Sequence, residues 1–552
     1  MLAIIAIAII ISFLILFPFV AIVYQSFWSS MLGLGGHPTL ANYVKIWNEF
    51  FLSTLMNSLI LAFFTSLFST LVGFFISYAV TRTDIPFKGL LDTLMKLPFY
   101  FSPLILALAY SYLLRPAGFL STIYEKTFNS SIFWKIESLE GMIIVSTLWL
   151  TSYAYMMISS GLKNIVAEVE DVARIAGAGW WQTTRRIVLP LITPVLISCI
   201  FFSFVIGLGE LSIPMILGHG KGIYVLSTYI LYLKSAGVYP ELGQASVVAL
   251  IMVIFAVAFL FINKKVTGIS SKYVTIVGRG GGQRVIHLGR FRWFVVSFIF
   301  LWIVSAVALP VATVFLISLS PTWRVGIPTQ FTLKFYFDLL SGSADLSFLV
   351  NSLQVSLASA LCIVILSAIL AYLIVRRSRL LVARSTETLV MFMSSIPGMA
   401  LATGFLIAYI RIPLIYGTPL ILIIAFTIRF LPQSLRTCVS SLLQQGEELE
   451  HVAACCGAST STRLFKIIIP LLLPALLAAF NLSLASTIGE ISSASLLCVP
   501  ATYVLSIAAY ENWTVGEYYR AAGNISIVAF IAISASIIFE ILSKKRIQLT
   551  AL

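Results

Sequence analysis

A short polar sequence occurs twice between long apolar stretches and decides the fold: EDVARIAGAGWWQTTRRIVLP at residues 170–190 and EHVAACCGASTSTRLFKIIIP at residues 450–470. The two copies are offset by 280 positions at the first acid (450 − 170), at the glycine (457 − 177) and at the last proline (470 − 190), without a gap. A polar segment repeated this closely is more typical of a docking surface than of a connecting loop. The repeat therefore predicts two equivalent sites on one chain, and two copies of a partner.

The composition indicates a membrane protein. The chain has 552 residues, of which 60% are hydrophobic and only 10% are charged. A soluble chain of this length needs more charge to cover its surface, so we expect an all-α polytopic membrane protein embedded in lipid. The formal net charge of +14 has a topological explanation, because Lys and Arg collect in cytoplasmic loops. We expect no nucleic-acid partner, since no basic stripe with interleaved aromatic residues occurs outside the loops.

Apolar runs of about 20 residues, long enough to cross a bilayer, predict about 12 transmembrane helices in two sets of six. The first run has no basic residue before it and is interpreted as a retained span rather than a secretory signal. The predicted spans lie near 2–24, 56–80, 93–114, 141–160, 189–213, 243–263, 293–319, 351–375, 389–410, 415–432, 470–490 and 522–543.

The distribution of basic residues predicts the orientation. With both termini in the cytoplasm, the segments 264–292 and 376–384 and the C-terminal Lys544, Lys545 and Arg546 lie on the cytoplasmic side, where basic residues are expected. The opposite loops mix acids with bases. Both copies of the polar motif fall on the basic side. The prediction is a multi-pass protein of the cell (inner, cytoplasmic) membrane.

The repeat extends beyond the motif. Gly489-Glu490 follows Gly209-Glu210 at the offset of 280, whereas Asn351 follows Asn57 (351 − 57) and Pro397 follows Pro103 (397 − 103) at an offset of 294. Both halves have the same order of spans, which indicates a parallel repeat. We predict a first six-helix half at 1–263, a Gly-rich basic cytoplasmic linker at 264–292 and a second half at 293–552, with the motifs at 168–190 and 448–470.

The motif predicts a short helix–turn–helix on the cytoplasmic face. Glu170, Ala173 and Gly177 share one helix face, and small residues there let another surface approach closely. Gly177 allows the chain to turn, and Pro190 suits the first turn of the next span. The alternative is an interfacial helix that only anchors the loop, and two gap-free copies argue against it. The second copy has the same residues at its first, fourth, eighth and last places.

At this point the sequence resembles a known family. The pattern Glu-Ala-Ala-x-x-x-Gly-x(9)-Ile-x-Leu-Pro is the signature of ABC importer permeases of the type I fold. Aligned on Gly177, the Glu-Ala-Ala positions fall on Asp171-Val172-Ala173, and aligned on Gly457 they fall on His451-Val452-Ala453. The first motif position therefore departs from Glu in both copies, although Glu170 and Glu450 precede it. The resemblance covers essentially the whole chain.

The resemblance implies a permease subunit of a binding-protein-dependent ABC importer. The motif helices would be coupling helices that contact two copies of an ATP-binding subunit at the cytoplasmic face, and an extracytoplasmic solute-binding protein would deliver the solute. ATP and Mg would be used by those partners and no cofactor by this chain, which contains no Walker A motif. The chain would not be an enzyme. The implied coupling residues are Glu170, Asp171, Ala173, Gly177, Pro190, Glu450, His451, Ala453, Gly457 and Pro470.

The fused two-half form resembles the ferric-iron, thiamine and aminophosphonate branch of this family, as do the segments 208–212 and 488–492. Ferric iron is the substrate that we expect. Thiamine, aminophosphonate or another small solute transported by the same mechanism remain alternatives.

Glu210 and Glu490 are candidate pathway residues. A carboxylate near the end of an apolar span is costly unless it faces water, a partner or a pathway. The two could line a cation route, or they could form hydrogen bonds at helix kinks beside Gly209 and Gly489. Arg429, by contrast, is expected near the cytoplasmic edge, which its long side chain could reach.

A secondary transporter and a membrane enzyme are the alternative classes of protein. A secondary transporter also uses about twelve spans in parallel halves, but it would not need the paired motif. A membrane enzyme is disfavoured because the sequence shows no nucleophile–base pair placed for chemistry. A metal site is not expected either, since the histidines are scattered without metal-binding spacing: His37, His219, His287 and His451.

Overall fold

The structure, a computed structural model, describes residues 2–30, 35–116, 118–130, 135–163, 172–173, 175–235, 241–270, 285–341 and 344–550. These residues are mostly α-helical, and the β-pairing among them consists of isolated bridges at Trp28–Pro38 and Thr83–Ile286. The predicted all-α class is confirmed.

The helices of the first part of the chain are α1 Leu2–Ser26, α2 Ala41–Ile46, α3 Glu49–Arg82, α4 Lys88–Tyr100, α5 Pro103–Leu114, α6 Phe119–Phe128, α7 Leu139–Lys163, α8 Trp180–Thr183, α9 Leu189–Gly209, α10 Ser212–Leu217, α11 Leu226–Ser235 and α12 Leu242–Ser270.

Those of the second part are α13 Phe291–Ile303, α14 Leu309–Ser318, α15 Lys334–Leu340, α16 Ala344–Arg376, α17 Leu381–Met393, α18 Gly398–Tyr409, α19 Pro419–Gln444, α20 Glu448–Cys455, α21 Thr460–Arg463, α22 Ile469–Ile488, α23 Ser492–Leu497, α24 Leu505–Thr514 and α25 Tyr518–Thr550.

The number of spans agrees with the sequence. Among the described residues, 11 helices are long and apolar enough to cross a membrane, and a bent pair raises the count to 12. The bent pair is α17 with α18, whose axes differ by 112°. The prediction of about twelve spans is therefore confirmed.

Two of the predicted spans are each divided into two helices. The predicted span 389–410 is interrupted between α17 and α18, just before Gly398, and 93–114 is interrupted between α4 and α5. Pro397 and Pro103 explain the breaks, because the residue before a proline is disfavoured in helical conformation. At the break between α4 and α5, Ser102 Oγ accepts the N–H of Leu104 at 3.4 Å and so caps α5. The span predicted near 415–432 is one unbroken helix, α19.

Three helical rods widen into a single π-helical turn, and each of these turns precedes a proline. The turns are 184–188, 304–308 and 464–468, and the prolines are Pro190, Pro310 and Pro470. Proline lacks an N–H and its ring clashes with the carbonyl four residues earlier, so a regular α-helical turn is strained there. A wider turn relieves the clash, and α8 and α9 thus form one rod across Trp180–Gly209.

The chain forms two compact units, and neither is a continuous stretch of sequence. One unit comprises 1–47, 230–250 and 333–552, and the other comprises 48–229 and 251–332. In the first unit α1 packs against α17 and α18, and in the second unit α13 and α14 pack against α4 and α5. Each unit therefore joins the initial span of one predicted half to the core of the other. The boundaries of the halves as sequence repeats stay a prediction.

Close packing of α1 in its unit depends on a glycine. A Cβ at Gly404 of α18 would lie 2.7 Å from the Pro18 carbonyl oxygen, which is too close for any side chain. Ile15 and Ile22 of α1 are buried at 1% and 2% exposure. The first span is thus an integral part of this core.

The C-terminal end of the predicted linker is hydrogen-bonded to the first half. Residues 264–270 continue α12, and the glycine run 278–282 lies outside the described residues. Beyond it, Ile286 N–H donates to Arg82 O (2.7 Å) and Leu288 N–H donates to Asp84 Oδ1 (2.9 Å). The Leu288 N–H is the main cause that lowers the pKa of Asp84. The start of α13 is therefore anchored beside the end of α3.

Candidate coupling sites and buried carboxylates

The second copy of the motif forms the helix–turn–helix that the sequence predicts. Helix α20 begins with Glu448 and Glu450 in its first turn, where acidic side chains interact favourably with the helix dipole. The helix ends at Cys455, and Gly457 in the turn that follows has a φ of +79°, a left-handed conformation that favours glycine. The N–H of Ala458 donates to the carbonyl of Ala453 at 3.0 Å and closes the turn.

The first copy ends in the same way. Its Glu170 and Asp171 lie outside the described residues, as does Arg174. Of the described residues, Gly177 has a φ of +84°, and the N–H of Ala178 donates to Ala173 O at 2.9 Å. The two copies therefore share one terminating geometry, as the gap-free sequence repeat predicts.

Both turns connect to a rigid rod. Two residues separate Gly177 from α8 and Gly457 from α21, and each short helix continues through the π-helical turn into α9 or α22. Pro190 and Pro470 occupy the second position of these long helices. A displacement of α8 or α21 therefore moves the following span, because the helix is continuous from there.

The outer faces of both motif regions are apolar and exposed. Val452 is 62% exposed and Leu449 is 57% exposed, and in the first copy Val172 is 65% and Ile175 is 87% exposed. His451 is also exposed. Exposed apolar side chains of this kind are typical of protein–protein or membrane interaction sites.

Glu450 does not belong to this exposed face. It is buried at 8% exposure, and its Oε1 lies 2.6 Å from Nε of Arg376 at the end of α16. Of the predicted coupling residues in this copy, Glu450 thus faces the chain itself, whereas His451 and Gly457 face outward.

Glu210 is buried at a break between helices. Its exposure is 8%. Oε1 accepts the N–H of Ser212 (2.8 Å) at the start of α10, and its carbonyl accepts the Ser227 hydroxyl (2.6 Å). The side chain caps a short buried helix that packs against α5.

Glu490 occupies the equivalent break and also pairs with a cation. It is buried at 8% exposure, and its Oε1 accepts the N–H of Ser493 at 2.9 Å. Nη1 of Arg429 lies 2.5 Å from the same oxygen, and a Cβ at Gly398 would overlap this guanidinium. The expectation that Arg429 reaches the cytoplasmic edge is wrong, because its guanidinium is held inside the helix packing by Glu490.

The two carboxylates have different surroundings. The first-half position equivalent to Arg429 is 149 (429 − 280), which is Trp149, an uncharged residue. The described residues contain no group of three or more His, Cys, Asp and Glu side chains that could hold a metal ion. A pathway role for Glu210 and Glu490 stays a prediction.

Sequence reasoning missed two arginines that the structure places at these sites. Arg376 was assigned only to the basic cytoplasmic segment, although Arg82 precedes it at the repeat offset of 294 (376 − 82). The recurrence of arginine at this offset could have indicated Arg376 as a site residue. Arg429 has no counterpart in the first half, so the repeat gave no indication of its role.

Comparison with known proteins identifies the class. The family described as "Binding-protein-dependent transport system inner membrane component" matches residues 67–266 and 363–548, which make up well over half of the chain. The chain belongs to this family. It is a multi-pass permease component of an ABC transport system rather than an enzyme, as predicted.

The relatives that resemble the chain over most of its length are also permeases. A protein of Haemophilus influenzae described as a ferric transport system permease, FbpB 1, is 26% identical and aligns with 85% of this chain and 77% of its own length. The ferric transport system permease FbpB of Actinobacillus pleuropneumoniae is 25% identical over 96% of this chain and 77% of its own. An ABC transporter permease of Sinorhizobium fredii, y4fN, is 23% identical over 90% and 88%.

Proposed function

We propose that this chain forms the pathway for ferric iron through the inner membrane and couples it to a separate pair of ATP-binding subunits. The observation that carries the proposal is the pair of motif turns with matching geometry, each joined to a long helical rod. Two equivalent docking elements on one chain require two equivalent partners.

The ATP-binding subunits dock on the exposed apolar faces of the motif regions, at the cytoplasmic face, with both chain termini on that side. ATP and Mg are bound and used by those subunits, and an extracytoplasmic solute-binding protein delivers the ion. The basic segments on the motif side support this orientation.

Energy coupling is mechanical in this proposal. Closure of the ATP-binding pair brings the two motif helices towards each other. Because α8 continues into α9 and α21 into α22, each span moves with its motif helix. The permease then changes from inward-open to outward-open access, the ligand-driven rigid-body shift that many transporters use.

Ferric iron is supported by the relatives whose names specify ferric transport. Glu210 and Glu490 are the carboxylates that we assign to the route, since buried carboxylates within apolar helices attract cations. Their hydrogen bonds at the helix breaks support the competing assignment, in which they only cap α10 and α23.

Reconstitution into vesicles tests the proposal. The chain is inserted with its ATP-binding subunit, ATP is supplied on the motif side, and the binding protein is loaded with ferric iron, thiamine or 2-aminoethylphosphonate on the other. Iron uptake that requires ATP and the binding protein is expected. ATP-driven uptake of another solute alone would contradict the substrate, and uptake driven by an ion gradient without ATP would contradict the mechanism.

A further inference from the structure

Arg376 lies where three helices of the second half meet. It is the last residue of α16, and its guanidinium bridges to the end of α19 and to α20. Nε lies 2.6 Å from Glu450 Oε1, Nη2 donates to Gln445 O at 2.9 Å, and Nη1 lies 3.7 Å from Glu447 Oε1. The donors of one planar guanidinium thus engage the motif helix and the chain just before it.

The central pair is shielded from solvent. The side chains of Arg376 and Glu450 are only 8% and 11% exposed. A buried ion pair persists only when its geometry is good and further hydrogen bonds satisfy it, and the bond to Gln445 O supplies one of these. Arg377, the next residue, is exposed, so burial distinguishes Arg376 from its neighbour.

Glu450 and the proposed docking face use opposite sides of α20. Leu449 and Val452 are exposed at 57% and 62%, whereas Glu450 is buried at 8%. A partner that covers the exposed face leaves the Arg376–Glu450 pair intact. The carboxylate is therefore free to act as an attachment within the permease.

We propose that Arg376 is a positioning residue for energy coupling, which attaches the motif helix α20 to the end of the span α16. This inference rests on the proposed function. Helix α20 then has two connections to the membrane region: the covalent one through α21 into α22, and the ion pair to α16. Since α16 packs against both α19 and α22, the pair distributes a movement of α20 over three spans.

The first half has an arginine and a glutamate at the positions equivalent to Arg376 and Glu450. Arg82 precedes Arg376 by 294 positions and Glu170 precedes Glu450 by 280, the two offsets that relate the halves. Arg82 is 1% exposed, and its Nη2 donates to Leu162 O in the last turn of α7 at 3.0 Å, as Arg376 donates to the chain after α19. Glu170 lies outside the described residues.

A double-mutant cycle tests the proposal in the reconstituted complex. The variants are Arg376→Met, Glu450→Gln and both together, with Arg377→Met as the matched control at the adjacent exposed arginine. Each is measured for copurification of the ATP-binding subunit, for ATPase stimulation by the loaded binding protein, and for uptake. We expect each single variant to lower stimulation and uptake at least about fivefold, while the ATP-binding subunit still copurifies. The double variant should lose no more than the singles, because one interaction is removed in all three.

Each outcome decides between the proposal and its alternatives. Normal coupling in Arg376→Met, or losses that multiply in the double variant, would overturn the role of the pair. If Arg376→Met does not reach the membrane, Glu450→Gln keeps the shape of the side chain, and normal uptake there would equally overturn it. Failure of the proposed function is distinct, since the unaltered chain would then show no ATPase stimulation at all.

Discussion

Gly177 and Gly457 lie 280 positions apart (457 − 177) and adopt the same left-handed backbone conformation, with φ of +84° and +79°. A Cβ at either position would meet no atom of the described residues within 4 Å. Among the described residues, the left-handed backbone conformation is what favours glycine at each position. A bulky side chain at these positions would meet a docked partner rather than the described residues of this chain.

The first prediction separates backbone strain from steric exclusion of the partner. Asparagine tolerates the left-handed conformation, so Gly177→Asn with Gly457→Asn should retain most transport. Alanine at both positions should lose about 1–2 kcal/mol of local stability per site. Tryptophan at both should abolish uptake and ATPase stimulation while the permease remains in the membrane, because its bulk blocks docking.

Uptake and copurification of the ATP-binding subunit are the measurements for this series. The alanine variant is the control for strain, and the asparagine variant is the control for the loss of glycine. A tryptophan double variant that still transports and still stimulates the partner ATPase would show that the docking assignment is wrong.

The second prediction concerns the buried carboxylates. If they line a cation route, Glu210→Gln should lower iron uptake while assembly and basal ATPase activity stay normal. Glu490→Gln has an additional effect, because it leaves the Arg429 guanidinium without its charged partner. Breaking a buried ion pair lowers the stability of the fold by up to about 3–5 kcal/mol. The Arg429 side chain is 22% exposed, so we expect a loss of stability towards the lower end of that range.

The variant Glu490→Gln with Arg429→Met separates these effects, since it removes both charges together. Restored thermal stability without restored uptake would assign a pathway role to Glu490. Restored stability with restored uptake would assign the pair to helix packing. Normal uptake in Glu210→Gln with Glu490→Gln would exclude the pathway role for both carboxylates.

The third prediction concerns orientation. The exposed native cysteines Cys362, Cys455 and Cys456 are first replaced, to give a clean background. Single cysteines in 376–384 and 278–283 should then resist an impermeant thiol reagent applied from outside, whereas sites in 115–140 should react. Labelling of 278–283 from outside would contradict the orientation of the motifs and of both termini.

The sequence predicted the features that recur along it. Span number, the two motif copies and the turns at Gly177 and Gly457 follow from apolar length and repeat offset, which are local properties. The family assignment follows from the same residues. Pro103 and Pro397 could have indicated the breaks before α5 and α18, but the sharp bend after α17 depends on tertiary packing that a hydropathy pattern does not contain.

Features that depend on distant contacts were not predictable. The packing of α1 with α17 and α18 is a long-range choice that no periodicity encodes. The inward direction of Glu450 depends on the rotation of a short helix and on its contact with Arg376, which is distant in sequence. The Arg429–Glu490 pair joins residues 61 positions apart and lacks a repeat counterpart, so nothing in the sequence indicated it.

The central claim is that one chain offers two equivalent coupling sites, and the stoichiometry of the purified complex tests it most directly. Native mass spectrometry should find two ATP-binding subunits for each permease chain. It should find one when either Gly177 or Gly457 alone is replaced by tryptophan, if the second subunit is held by its own site. A complex with a single subunit in the unaltered chain, or one whose composition ignores both replacements, would contradict the account.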